Sequence, residues 1–276
     1  MDDRTMGKKS DRYVLELIKS QAHQKHVEYN KLNDIIGTQI FNILALNSRV
    51  LYYPLEDDDV WGFADKIKEQ SFVCISTSIP YDKQVFAAAH ELYHLWFNEE
   101  QELILSSVLE EEEDINSQIN DTELRANRFA AEFLVEENLL RQEMKTYGIN
   151  RDNIGIKEIL KLATLFLVPY KTMVRRLYEL NIFNKQSQER FSNVSKEQID
   201  SWRTRLGISL PIWDNKIGLD NLVDKAMELY EKKLITIDKL EYLLSFADLS
   251  PIKLGVKEVP AYTPPTDEEL QAILEE

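Results

Sequence analysis

Residues 88–94 read Ala88-Ala89-His90-Glu91-Leu92-Tyr93-His94, and the reading of this stretch decides the fold. It lies within a run from Lys83 to about Phe97 that the sequence predicts to be a helix, with Asp82 placed to cap its start. Residues four apart on a helix share one face, about one turn apart. The imidazoles of His90 and His94 can therefore reach the same metal ion. Glu91 stands one residue on, about 100° round the helix. From there its carboxylate can approach a water on that ion without itself being a ligand. Zinc lowers the pKa of such a water to near 7, and a carboxylate so placed takes its proton as it attacks a carbonyl. Phe86 and Ala87 precede the pattern and Leu95-Trp96-Phe97 follow it, so the helix is expected to be largely buried. The chain has 276 residues and 4 histidines, and half of them stand here. Two ordinary, half-buried histidines are the plain alternative.

A catalytic zinc site takes three protein ligands and keeps one open position. The third ligand is sought downstream, on a helix expected over 122–144. Glu123, Asp121 and Glu132 are the candidates. Glu123 is followed on its own face by Ala126, Asn127 and Ala130, small side chains that let two helices approach, with Phe129 and Phe133 as anchors. The plain alternative for Glu123 is a solvated carboxylate favoured by the helix dipole.

These two segments together resemble the ImmA/IrrE family of metallopeptidases. That family pairs an A-H-E-x-x-H helix with an E-x-x-A-N-x-F-A-x-x-L-L segment, which Ala89 to His94 and Glu123 to Leu134 resemble, with Phe133 at the first Leu of the closing pair. The resemblance implies His90, His94 and Glu123 as Zn²⁺ ligands and Glu91 as catalytic base. It covers about residues 30–185. Tyr93 stands where the family usually has Gly, and Glu136 where the segment commonly ends in Pro. The resemblance also implies a role as a regulated protease that cuts a helix-turn-helix repressor, on mobile elements or in stress responses, and so releases repressed genes.

The rest of the chain sets the frame. Short strands are expected at 50–53, 60–63 and 72–77, rich in β-branched and aromatic residues. Helices are expected at 11–29, 32–46, 156–166, 171–180, 195–206, 219–233 and 236–246. The fold class is α+β and mainly helical: a zincin-like domain with a small three-stranded sheet over residues 1–140, a helix-turn-helix-like module over 141–190, and a helical C-terminal region over 191–276. Glu110–Asp114 reads as an exposed acidic block, and Pro260–Glu276 as a partly disordered tail.

The net charge is -15, from 33 Lys plus Arg against 48 Asp plus Glu. That balance argues against a protein that coats nucleic acid. The charge is unevenly placed: residues 1–140 carry a net of -14, residues 141–190 a net of +5, and the remainder -6. No Lys or Arg occurs from Gln84 through Leu124, a field that favours a cation and a basic substrate. In the basic segment, Lys157 and Lys161 on one helix and Lys171, Arg175 and Arg176 on the next raise DNA contact as a secondary reading. A non-catalytic regulatory protein, acting by protein or DNA contact on the same fold, is the rival to the peptidase. A single cysteine, Cys74, excludes a disulfide framework. The apolar runs fall short of the roughly 18–20 residues that a membrane span needs, and the start has no signal-peptide pattern. The expected location is the cytoplasm.

Overall fold

The computed structural model describes residues 3–57, 59–67, 70–97, 104–107, 121–210, 215–219 and 221–256. Two compact units divide the chain at Asp220/Asn221. In the first unit, helix α1 (Asp3–Glu28) leads through a 3₁₀ turn (Gly37–Gln39) into α2 (Ile40–Asn47) and strand β1 (Arg49–Tyr53). Strands β2 (Val60–Ile67) and β3 (Gln70–Ser76) precede α3 (Tyr81–Phe97). Strand β4 (Ile104–Ser107) is followed by α4 (Asp121–Leu134), α5 (Glu137–Thr146), α6 (Ile156–Phe166), α7 (Tyr170–Glu179), α8 (Lys185–Ser192), α9 (Lys196–Leu206) and β5 (Gly218–Leu219). The mainly helical α+β class expected from the sequence is the observed one.

The sheet has five strands among the described residues, in the order β4-β2-β3-β1-β5, where three were expected. β1 runs parallel to β3, with Val50 opposite Val73, while β2 is antiparallel to both β3 and β4. The two additional strands are the short edges. β5 is two residues long and is defined only by its pairing with Leu51 and Tyr52, so no local periodicity marks it. β4 arises from the apolar piece at 104–105, too brief for an alternating pattern. The acidic block Glu110–Asp114 and the tail from 260 lie outside the described residues.

α3 is buried almost all round, which places it in the core rather than on a surface. Val85, Ala87, Ala88, Ala89 and Leu92 have no exposed surface. α4 packs beside it through aromatic rings. Phe129 meets Tyr93 at 5.4 Å and Phe97 at 5.5 Å between centroids. Phe133 stacks on Phe129 at 5.3 Å and meets the edge of Trp96 at 5.7 Å. Burying a phenylalanine is worth about 1.5–3 kcal/mol, so this pair alone holds α4 firmly against α3.

The helix expected over 122–144 is two helices. It stops at Leu134, and Glu136 takes an extended backbone from which its carboxylate accepts from Leu139 N at 2.8 Å. Glutamate is not among the usual capping residues, so the break is hard to see in sequence. The last carbonyls of a helix lack intrahelical partners, and those of α4 are met from outside. His26 at the end of α1 faces the Phe133 oxygen with Nε2 and the Lys31 oxygen with Nδ1, each at 3.0 Å. Burial outweighs both carbonyls and holds the His26 pKa below its ordinary value. Arg176 on α7 donates from Nε to the Val135 oxygen at 2.9 Å and pairs through Nη2 with Glu132 at 2.6 Å.

α6 and α7 form the expected helix pair, turned by Leu167 in the left-handed conformation and Pro169 at the start of α7. Their buried faces join the same core as α3 and α4, so the boundaries expected at 140 and 190 fall inside the first unit. Of the three cations on α7, Arg176 is 2% exposed and Arg175 bonds Glu179 at 3.0 Å. α8 lies between the helices expected at 171–180 and 195–206, where the sequence predicts none; only Phe191 on it is buried, so no apolar face marks it. The second unit, Asn221–Glu276, contains α10 (Leu222–Glu231), α11 (Ile237–Ser245) and a 3₁₀ turn (Pro251–Leu254) around Ala226, Leu240 and Leu244. α10 and α11 are the two helices expected at 219–233 and 236–246.

Candidate metal centre

Three elements build the centre. α3 supplies His90 and His94 one turn apart, α4 supplies Glu123 from its first turn, and the sheet lies beneath. His90 Nε2 stands 3.1 Å from Glu123 Oε2 and 3.1 Å from His94 Nε2, and His94 Nε2 stands 3.2 Å from Glu123 Oε1. All three side chains are buried. Among the described residues they are the one group of His, Cys, Asp or Glu side chains whose ligand atoms converge in this way, within 4.8 Å of one another. Of the other two candidates, Glu132 lies further along α4 on Arg176, and the Asp121 side chain is outside the described positions.

The hydrogen bonding decides what this cluster fits. His90 Nδ1 lies 2.9 Å from Asn127 Oδ1, which can only accept. The proton of neutral His90 is therefore on Nδ1, and Nε2 presents a lone pair to the cluster. Two imidazole nitrogens and a carboxylate that crowd to about 3 Å need a cation among them. Ligands about 2.0–2.1 Å from a tetrahedral ion stand roughly 3.3 Å apart, close to the spacing found. A divalent metal thus fits the residues present, with the other nitrogen of one histidine held by a neighbouring acceptor, as metal-binding histidines commonly are.

Where no metal is bound, a proton on His90 Nε2 takes its place, and that nitrogen then donates to Glu123. Burial works to raise the Glu123 pKa, but its hydrogen bonds to His90 and His94 prevail and lower it to about 2. Burial works to lower the His90 pKa, yet the bond to Glu123 and the charges of Glu91 and Glu123 leave it above the ordinary value. The cluster is thus built to hold positive charge against a fixed carboxylate.

Glu91 has no exposed surface and lies against the sheet. A Cβ built on Gly62 of β2 would stand 3.4 Å from Glu91 Oε1. Beyond it, burial and the charge of Glu91 push the Cys74 thiol up to about 12, which makes Cys74 an inert part of the floor. Tyr93, which stands in place of the family's Gly, turns away into the packing between α3 and α4: it is 5% exposed, and its hydroxyl is hydrogen-bonded with Arg125.

The sequence marks Asn127 only as a small residue on the face of Glu123. Its position four residues after Glu123 was the available signal, since that spacing puts both on the side facing α3. Asn127→Ala is expected to weaken metal binding about 10–100-fold, as loss of such an outer partner commonly does. Competition with a chromophoric chelator measures this, and unchanged affinity would contradict the role given to Asn127.

A helix bearing His-Glu-x-x-His, laid on a small sheet and closed by a second helix that brings a glutamate, defines a zincin-like metallopeptidase domain. Residues 44–178 match the family model described as Peptidase_M78, the IrrE N-terminal-like domain, so this segment is a domain of the ImmA/IrrE metallopeptidase type. The match runs from α2 to α7 and so includes both metal-centre helices and the helix pair after them. Comparison with curated proteins found no match. No helix among the described residues is long and apolar enough to cross a membrane.

Proposed function

We propose that this protein is a zinc-dependent endopeptidase, with His90, His94 and Glu123 as the zinc ligands and Glu91 as the general base. The observation that carries this is the convergence of the three ligand atoms with the His90 tautomer fixed by Asn127. Zinc is the ion of choice because two imidazoles and one carboxylate are a known set for catalytic zinc, leaving one position open. When bound, zinc polarises the scissile carbonyl and makes water acidic enough to be deprotonated near pH 7. Glu91 receives the proton of the attacking water at a carboxylate oxygen and returns it to the leaving amine nitrogen. Its burial keeps bulk water from competing for that proton. Asn127 keeps His90 in the tautomer that points its lone pair inward.

The substrate we propose is a basic protein, a helix-turn-helix repressor whose cleavage relieves repression in the cytoplasm, in mobile-element or stress regulation. Family resemblance supports this, as does the segment from Gln84 through Leu124 that lacks Lys and Arg.

The test combines zinc content with cleavage of a purified helix-turn-helix repressor from the neighbouring gene. The expected outcome is one zinc per chain, cleavage abolished by a chelator, and a melting temperature raised by the metal. At a zinc concentration about 100 times Kd, binding adds about 2.7 kcal/mol. A chain that binds no zinc would refute the site. Zinc binding without cleavage would favour a protein that acts by contact alone.

A further inference from the structure

Strand β2 carries an irregularity directly beneath α3. Val60 lies opposite Ser107 of β4, but Gly62 lies opposite Ser106, so Trp61 is an extra residue in the ladder. Such a bulge lets two successive residues face the same side and re-aims side chains beside active sites. Both neighbours here face α3. The Trp61 ring meets the Phe86 edge at 6.3 Å, with Lys83 Nζ over it at 4.2 Å. At Gly62 a Cβ would stand 3.4 Å from Glu91 Oε1, 3.4 Å from Ile75 Cδ1 and 2.9 Å from the Cys74 backbone oxygen. A large ring thus supports the first turns of α3, and a missing side chain lies under Glu91.

We propose that Gly62 is a positioning residue for Glu91: the side chain it lacks leaves the buried carboxylate its place between β2 and α3. The proposal rests on the reading of Glu91 as the general base, but the geometry it describes does not depend on hydrolysis. In Gly62→Ala the added methyl group meets the Cys74 oxygen on one side and the carboxylate on the other. The 2.9 Å approach to the Cys74 oxygen, in a strand paired on both sides, pushes the methyl group towards Glu91 Oε1 and Ile75 Cδ1, which already stand at contact distance. His90, His94 and Glu123 do not supply any of the three heavy atoms nearest that methyl.

The zinc-loaded Gly62→Ala protein is compared with wild type by crystallography, zinc competition and steady-state kinetics. The expected result is a displaced Glu91 carboxylate, unchanged zinc affinity, and kcat reduced on the order of 10–100-fold with KM unchanged, the penalty of about 1 Å of misplacement. A carboxylate in its wild-type place would overturn the proposal. A thermal double-mutant cycle with Glu91→Ala gives a reading that needs no substrate. If the methyl group crowds Glu91, the drop in melting temperature caused by Gly62→Ala is at least halved when Glu91 is already Ala. Additive drops, or a double variant that fails to fold wherever the single one fails, would place the crowding at Cys74 alone and refute the role. Should wild type cleave nothing, the peptidase reading fails while the crystal structure and the cycle still decide this one.

Discussion

Glu91→Gln is expected to retain zinc and lose hydrolysis, with kcat falling on the order of 10²–10⁴-fold, the range that a positioned general base supplies. The substitution keeps the side chain's shape in a place with no exposed surface. What changes is chemistry at one atom: an amide cannot accept the proton of the attacking water. The three ligand atoms come from other side chains, so metal content is expected to stay at one per chain. KM is expected to change little, because the loss falls on an interaction made only as the reaction proceeds. Metal analysis and the kcat and KM of repressor cleavage check this together. Full activity in Glu91→Gln would remove Glu91 from the mechanism even if zinc is present.

The largest stability effect is expected at Arg176. Arg176→Ala leaves the Glu132 side chain, only 12% exposed, without its 2.6 Å partner and removes the donor to the Val135 oxygen. Removing one partner of a buried ion pair is destabilising by about 3–5 kcal/mol. For a unit of this size each kcal/mol moves the melting temperature by about 2–4 °C, so a drop on the order of 10 °C follows. The sign of its pH dependence is fixed as well. Burial already raises the Glu132 pKa above its ordinary value, with Arg176 pulling the other way. Without Arg176 it rises further, so the native chain keeps a proton that the unfolded chain releases. Stability of the variant is therefore lost as pH rises and partly regained as pH falls from neutral towards the carboxylate range. Melting curves from pH 5 to pH 8 test this, and a drop within about 1 °C at every pH would show that Glu132 needs no partner.

The metal centre was more legible than the parts that hold it. His90, Glu91 and His94 announce themselves because helical spacing turns four residues of sequence into one face. Glu123 could be narrowed to one of three carboxylates by spacing, and only the family pattern and then the fold singled it out. Asn127 and Gly62 act through contacts with α3, distant in sequence, and a glycine inside a strand gives no hint of which atom will fill its space. Arg176 differs in kind from what its sequence neighbours suggest. In sequence it extends a basic stretch with Lys171 and Arg175, and charge counting cannot distinguish a guanidinium facing water from one that caps a buried helix end. The +5 of that stretch therefore overstates the charge it shows to solvent.

α4 is held at both ends by residues far apart in the chain. Its first turn meets α3 at the metal centre, and its last carbonyls meet His26 and Arg176. The helix that completes the metal centre is therefore not finished when its own residues have left the ribosome. Synthesis must proceed some forty residues beyond Val135 before Arg176 can close its end and neutralise Glu132. The matched family region ends at residue 178, two positions past that arginine. The smallest fragment able to hold a metal tightly should therefore end no earlier than α7, and one that begins after His26 should bind it with α4 capped on one side only.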